Sequence, residues 1–154
     1  MRICIYAVGK VREKALNELL SRYLKMASRY VQLEIREFPD YPDQDSADLA
    51  RKREGEALLK ALEKEGRVLA LDLHGERLDS EQFSAQLMAE LELGGARLAL
   101  VIAGSNGFSP ELRARMDRRW SLGALTYPHQ LVRLLAVEQI YRAFKIARGE
   151  TYHK

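Results

Sequence analysis

Two apolar runs constrain this chain more than anything else in it. Residues 67–73 (RVLALDL) and 98–102 (LALVI) are nearly continuous stretches of aliphatic side chains, the first directly after Gly66. Runs of that length and composition suit strands buried on both faces, as in a parallel sheet covered by helices on either side. Asp72 interrupts the first run near its C-terminal end, where His74-Gly75 begins a turn, and the second run passes into Ala103-Gly104-Ser105-Asn106-Gly107.

The surrounding pattern alternates between the two periodicities. Residues 2–8 form a short β-rich run ending at Gly9. The upstream glycine and following Ser/Thr of a phosphate loop are missing around Gly9-Lys10, which excludes that motif. Residues 12–29 repeat Ala15, Leu16, Leu19, Leu20, Tyr23, Leu24 and Ala27 at helical spacing. Residues 31–38 alternate as a half-buried strand. After the turn-rich PDYPDQD stretch, Ser46 caps a charged helix over 47–64 with Ala50, Ala57, Leu58 and Leu62 as its apolar stripe. Asp79 or Ser80 caps a helix over 81–93 that turns Phe83, Leu87, Met88 and Leu91 inward.

Ser109-Pro110 opens another helix, with Leu112 and Met116 inward and Arg113, Arg115, Arg118 and Arg119 outward. A short apolar segment at 120–125 follows. Pro128 then starts a final helix over roughly 129–148, in which Leu131, Leu134, Leu135 and Ile146 serve packing. The order βαβα, βαβα, strand, helix predicts a three-layer α/β domain with a mostly parallel sheet. No linker, repeat or low-complexity segment divides the 154 residues, so residues 1–154 read as one domain with one sizeable core.

Ligands in such sheets sit beyond the C-terminal ends of the strands. Three such ends are visible, at residues 71–75, 103–107 and 122–127. In the second, Gly104 and Gly107 permit positive φ and Asn106 tolerates the left-handed region, so the turn either offers N–H groups to a ligand or simply joins a strand to a helix. In the third, the small centre of LGALTY suits a flat apolar slot such as adenine needs, and equally suits a core strand with a turn.

Charge is uneven. Residues 97–154 carry 10 Lys/Arg against 4 Asp/Glu, whereas the preceding part carries 15 against 18. That asymmetry suggests a polyanion-facing surface or a merely solvated basic one. Cys4, the single cysteine, lies in an apolar run; an internal disulfide is excluded and a reducing, cytosolic setting fits. The apolar start at residues 3–8 is too short for a signal peptide, and no stretch approaches a transmembrane span. The three histidines lack metal-ligand spacing, so no metal site is expected, and no Ser/His/Asp or Cys/His arrangement is legible. Glu138 and Arg142 stand at i,i+4, an ordinary ion-pair spacing. The tail after Gly149 reads by itself as frayed.

Several strings here are far more specific than a glycine turn. VIAGSNGFSP, then SLGALTYPHQLVRLLAVEQIYRAFKI, then RGETYHK, together with IYAVGK and ALDLHG, resemble the RlmH family over the whole chain. These are bacterial 23S rRNA (pseudouridine-N3)-methyltransferases of the SPOUT superfamily.

The resemblance implies a SPOUT-type fold with a deep C-terminal trefoil knot, a rare exception to the no-knot rule. It implies S-adenosylmethionine bound bent in that knot by Leu71, Ala103, Gly104, Leu122, Gly123, Ala124, Leu125, Thr126 and Tyr127. The family commonly has two glycines where this chain has Ala103-Gly104. Alanine serves if the contact is through backbone, and weakens binding if positive φ or very close approach is needed. The resemblance further implies a cytoplasmic homodimer acting on 23S rRNA in the assembled ribosome. One subunit's cofactor then faces the other's tail, with Glu138, Arg142, Tyr152, His153 and Lys154 as catalytic groups. The competing reading is a non-catalytic ribosome-binding or assembly factor; the α/β pattern alone also fits a nucleotide-binding regulatory module.

Overall fold

The computed structural model describes residues 1–41 and 46–151. Five strands and five helices alternate without exception: β1 (Arg2–Val8), α1 (Lys14–Ala27), β2 (Gln32–Phe38), α2 (Ala47–Leu62), β3 (Val68–Arg77), α3 (Ser80–Leu93), β4 (Arg97–Ile102), α4 (Pro110–Ala114), β5 (Arg118–Ser121) and α5 (His129–Ala147). All pairings are parallel, in the order β2-β1-β4-β3-β5. The three-layer parallel architecture expected of the chain is therefore what it adopts.

Alternation along the strands divides the core between two helical layers. Ile3, Ile5, Leu69, Leu98 and Leu100 face one side, where they meet Leu20 of α1, Leu87 and Leu91 of α3, and Val137, Ile140 and Phe144 of α5. Cys4, Tyr6, Val68, Ala70, Ala99 and Val101 face the other, against Leu58 and Leu62 of α2 and Leu112 after the α4 N-cap. Connections running toward the β2 edge carry α1 and α3 on the first side. Those running toward the β5 edge carry α2 and α4 on the second, as a uniform crossover hand requires.

The helix starts follow the expected chemistry. Ser46, Asp79 and Ser109 each accept a backbone N–H into the first turn, from Leu49, Gln82 and Leu112, and Gln82 returns the bond to Asp79 N–H to complete a capping box.

Four details depart from expectation. In α1, Ala15 and Leu19 are exposed, and the inward stripe narrows to Leu16, Leu20, Tyr23, Leu24 and Ala27. Arg118 and Arg119 lie on β5 and not on the preceding helix, which stops at Ala114. In α5 the buried face is Arg133, Ala136, Val137, Ile140, Ala143 and Phe144, while Leu131, Leu134, Leu135 and Ile146 are only half-buried. Finally, His74-Gly75 does not end the third strand. Leu71 and Glu76 both pair with Trp120, so residues 72–75 swing out of the ladder and the strand resumes to Arg77. Gly75 permits the return, because a β-carbon there would stand 2.6 Å from the backbone carbon of Trp120.

Candidate functional site

The strand ends form the site. The excursion at 72–75, the β4–α4 turn and the β5–α5 connection enclose a cleft of about 520 Å³. The β5–α5 connection runs across the strand ends, from Ser121 on β5 to His129, whose ring lies against Gly9 at the end of β1. Leu71, Ala103, Gly104, Leu122, Gly123, Leu125, Thr126 and Tyr127 all line the cleft, as do Asn106 and His129. Ala124 does not line it and is exposed. A second hollow of about 320 Å³ shares Leu71, Leu122, Gly123 and Tyr127 and is floored by Trp120 and Phe83, which meet edge to face. Segment 121–127 is thus a partition with a hollow on each side. Leu125, with 71% of its surface exposed, leaves an apolar lip open to a ligand.

The glycines of this site act for different reasons. Gly107 and Gly123 have φ of +75° and +121°, where a side chain is strained. Gly104 has no such φ; its constraint is space. A β-carbon there would stand 2.9 Å from Glu54 Oε2 and 3.0 Å from Val8 Cγ1. Ala103 has ordinary negative φ and packs on the β1–β3–β4 core, so alanine fits here without backbone strain.

Charged groups hold the walls. Asp72, nearly buried, accepts from Arg119 Nη1 at 3.0 Å and from the His74 N–H at 3.1 Å, with Arg113 Nε at 3.5 Å. Burial pushes its carboxyl upward, but the His74 N–H and the two guanidiniums outweigh this and hold it below the usual carboxylate range. The clamp ties β3, α4 and β5 together at the cleft.

Across the site, Arg133 is wholly buried, and it donates to the carbonyls of Val8 and Gly9 and to Glu37. Burial, and then the Arg133 charge, push the His129 imidazole below its ordinary value. Beneath the β4–α4 turn, Glu54 of α2 is 4% exposed; Oε1 accepts from Tyr41 N–H, and Oε2 has no hydrogen-bond partner among the described residues. Burial raises its carboxyl above the usual range.

Of the expected catalytic residues, Glu138 and Arg142 meet. Arg142 donates from Nε at 3.1 Å and Nη2 at 2.7 Å to Glu138 Oε1, while Gln139 donates to Oε2 at 2.6 Å. Neither Glu138 nor Arg142 lines the cleft. Glu138 lies nine residues along α5 from His129, about 13 Å at helical rise. Tyr152, His153 and Lys154 lie outside the described residues.

Spacing missed Arg133, His129 and Glu54. Only Asp72 left a signal, a carboxylate inside an apolar run. Among the described residues, no three His, Cys, Asp or Glu side chains are placed to hold a metal ion.

Such a cleft can hold a flat heteroaromatic group between aliphatic side chains and backbone amides. Comparison with known proteins agrees with a shared architecture. A family model described as "Predicted SPOUT methyltransferase" matches residues 1–153. The chain is 44% identical over 160 aligned residues to a protein named Ribosomal RNA large subunit methyltransferase H from Desulfitobacterium hafniense, covering 100% of this chain and 99% of that protein. It is 46% identical over 161 residues to the protein of the same name from Symbiobacterium thermophilum, with both covered in full. Among solved structures, a probable methyltransferase from Bordetella pertussis superposes with a TM-score of 0.57 at 16% identity, over 93% of this chain and 96% of that one. A probable methylase family protein from Haemophilus influenzae gives 0.55 at 13%, over 99% and 70%. At such identities the two structures establish the fold alone.

Proposed function

The chain belongs to the SPOUT methyltransferase family, and from that premise we propose that it methylates N3 of a pseudouridine in 23S rRNA on the assembled ribosome, with S-adenosylmethionine as donor. The observation that carries the reading is the cleft: three segments far apart in sequence, which the family resemblance assigns to the cofactor, meet at one edge of the sheet.

Leu71, Leu122 and Leu125 would bracket the adenine, and the backbone amides of 103–107 and 122–127 would meet its polar edge. Ala103 suits a backbone contact. Bound there, the cofactor supplies an electrophilic sulfonium methyl group. The chain's residues must align N3 with that group and take the N3 proton. N3–H lies between two carbonyls, so its anion is delocalised onto oxygens that a cation stabilises. Arg142, oriented by Glu138, suits that role. Tyr152 and His153 would position the base and contact the uracil ring, and Lys154 would meet phosphate.

Because Glu138 and Arg142 stand away from the cleft of their own chain, the site is completed in a homodimer, by the tail of one subunit over the cofactor of the other. The β5–α5 connection, drawn across the strand ends, would be the threaded part of a C-terminal trefoil knot. Residues 1–154 then form a single domain that works in the cytoplasm, where ribosomes are. Among the described residues no helix is long and apolar enough to cross a membrane.

Incubating intact ribosomes, separated subunits and labelled cofactor tests the reading. Label should enter large-subunit RNA only in the assembled particle. Cofactor binding without methyl transfer to any of these substrates would leave a non-catalytic ribosome-binding factor. Failure to bind cofactor by titration calorimetry would remove the enzyme altogether.

A further inference from the structure

The basic half of the sequence is largely neutralised within the molecule. Arg113 and Arg119 pair with Asp72, Arg118 with Glu76 and Glu90, Arg133 with Glu37, and Lys145 with Glu150. Charge counted along the chain therefore does not by itself single out a free basic surface. Beside the cleft, unpaired cations stand in the loop between β1 and α1. Lys10 and Arg12 are exposed, and no ion pair involves them among the described residues. Lys14 follows, 3.8 Å from Glu18 with both side chains mostly in water, a pair of little consequence.

Three contacts fix this loop to the cleft rim. Arg133 donates to the Gly9 carbonyl at 2.9 Å, and the Arg12 N–H donates to Gln130 Oε1 at 3.1 Å. Gly9, at φ +82°, packs so closely on His129 that a β-carbon would stand 2.8 Å from Nε2. His129 itself lines the cleft. Since every strand is parallel, the end of β1 opens on the same edge of the sheet as the site.

We propose that the β1–α1 loop is the RNA-docking edge of this cleft, with Lys10 and Arg12 contacting phosphates of the ribosomal RNA. The proposal rests on the rRNA reading above. Phosphate contacts hold a substrate in register without reading sequence, which suits an enzyme whose target is presented by a large folded particle. They also make binding salt-dependent, with each phosphate neutralised contributing about −0.7 to −0.9 to the slope of log K against log salt.

The test compares K10A/R12A with K60A/K64A, an equal charge loss at exposed positions beside the C-terminal end of α2, on the opposite edge of the sheet. For K10A/R12A we expect the KM for ribosomes to rise about tenfold and the salt slope of ribosome binding to become shallower by about 1.5, on the per-phosphate figure. Cofactor affinity and kcat at saturating ribosomes should hold. K60A/K64A should behave as wild type. Wild-type KM and slope in K10A/R12A would overturn the assignment, as would equal losses in both pairs. A photo-crosslinker in place of Lys10 should attach to RNA; attachment to ribosomal protein would also overturn it. If the wild-type protein fails to methylate ribosomes, the enzymatic reading falls separately. Cosedimentation then decides for the loop: weaker ribosome binding by K10A/R12A keeps the docking edge, and unchanged binding removes it.

Discussion

Arg133 and Gly9 come from opposite ends of the chain, yet Nη2 of the wholly buried arginine donates to the glycine carbonyl at 2.9 Å. The same nitrogen also reaches Val8 O, and Nη1 reaches Glu37 Oε1 at 3.0 Å. Replacing Arg133 with Met keeps the stem and removes all three bonds, leaving two carbonyls at the sheet end unpaired. The expected cost is about 3 kcal/mol in urea unfolding. Cofactor affinity should fall with it, because the Gly9 end of β1, against which His129 lies at the cleft, loses its tie. A wild-type midpoint would show that the clamp contributes nothing.

Gly104 is constrained by contact and not by φ. Gly104→Ala puts a methyl group against Glu54 Oε2 and Val8 Cγ1. Overpacking of this kind costs about 1–3 kcal/mol. Calorimetry should show cofactor binding weakened about tenfold, by the same scale of energy. Ala103→Gly should bring no gain in affinity, since Ala103 already sits without strain.

The Asp72 clamp makes stability depend on acid. Its carboxyl is depressed in the folded state, so its contribution is present above the usual carboxylate range and is lost as pH falls through the folded value. Asp72→Asn should destabilise the protein by about 2 kcal/mol at pH 7. The gap to wild type should close as the pH is lowered below 4. Parallel denaturation curves at pH 7 and pH 3.5 check this; a constant gap would rule out the charge as its source.

Glu54 has the opposite sign. Burial raises its carboxyl in the folded state, so stability from the protonated form is present below the unfolded value and is lost as pH rises through the folded one. Glu54→Gln keeps an acceptor for Tyr41 N–H and removes the charge. It should stabilise the protein by about 1 kcal/mol at pH 8, with the gain fading toward pH 4. Thermal melts across that range decide it, and a destabilised variant at pH 8 would mean that the ionised form has a partner.

Removing residues 152–154 should abolish methyl transfer to ribosomes while leaving cofactor affinity within about twofold, a difference near 0.4 kcal/mol. Normal turnover by the shortened chain would show that Tyr152, His153 and Lys154 have no catalytic part.

Much of the architecture was legible because it follows from local rules. Aliphatic runs marked β3 and β4, and Ser46, Asp79 and Ser109 marked three helix starts where they occur. What escaped depends on pairings between distant residues. Helical spacing places Leu131, Leu134 and Leu135 inward, but α5 is apolar around much of its circumference, and its buried stripe includes a charged residue, Arg133. No spacing rule foresees that Glu37 and two strand-end carbonyls will satisfy that charge. Arg118 and Arg119 look like solvated helix residues, and in the fold they face Glu90 and Asp72 from an edge strand. Of the site, the three strand-end segments could be located from the aliphatic runs and glycines, while their meeting, Glu54 beneath Gly104, and His129 against Gly9 are products of topology.

The placement of α5 has a consequence for biosynthesis. Val137, Ile140 and Phe144 complete the core layer that Ile3 and Ile5 of the sheet and Leu20 of α1, translated first, begin. Until residue 147 has emerged, that face of the sheet is covered only in part, by α1 and α3. A nascent chain of this kind carries a partly open apolar face until its last helix docks, which favours holding by chaperones at the tunnel mouth.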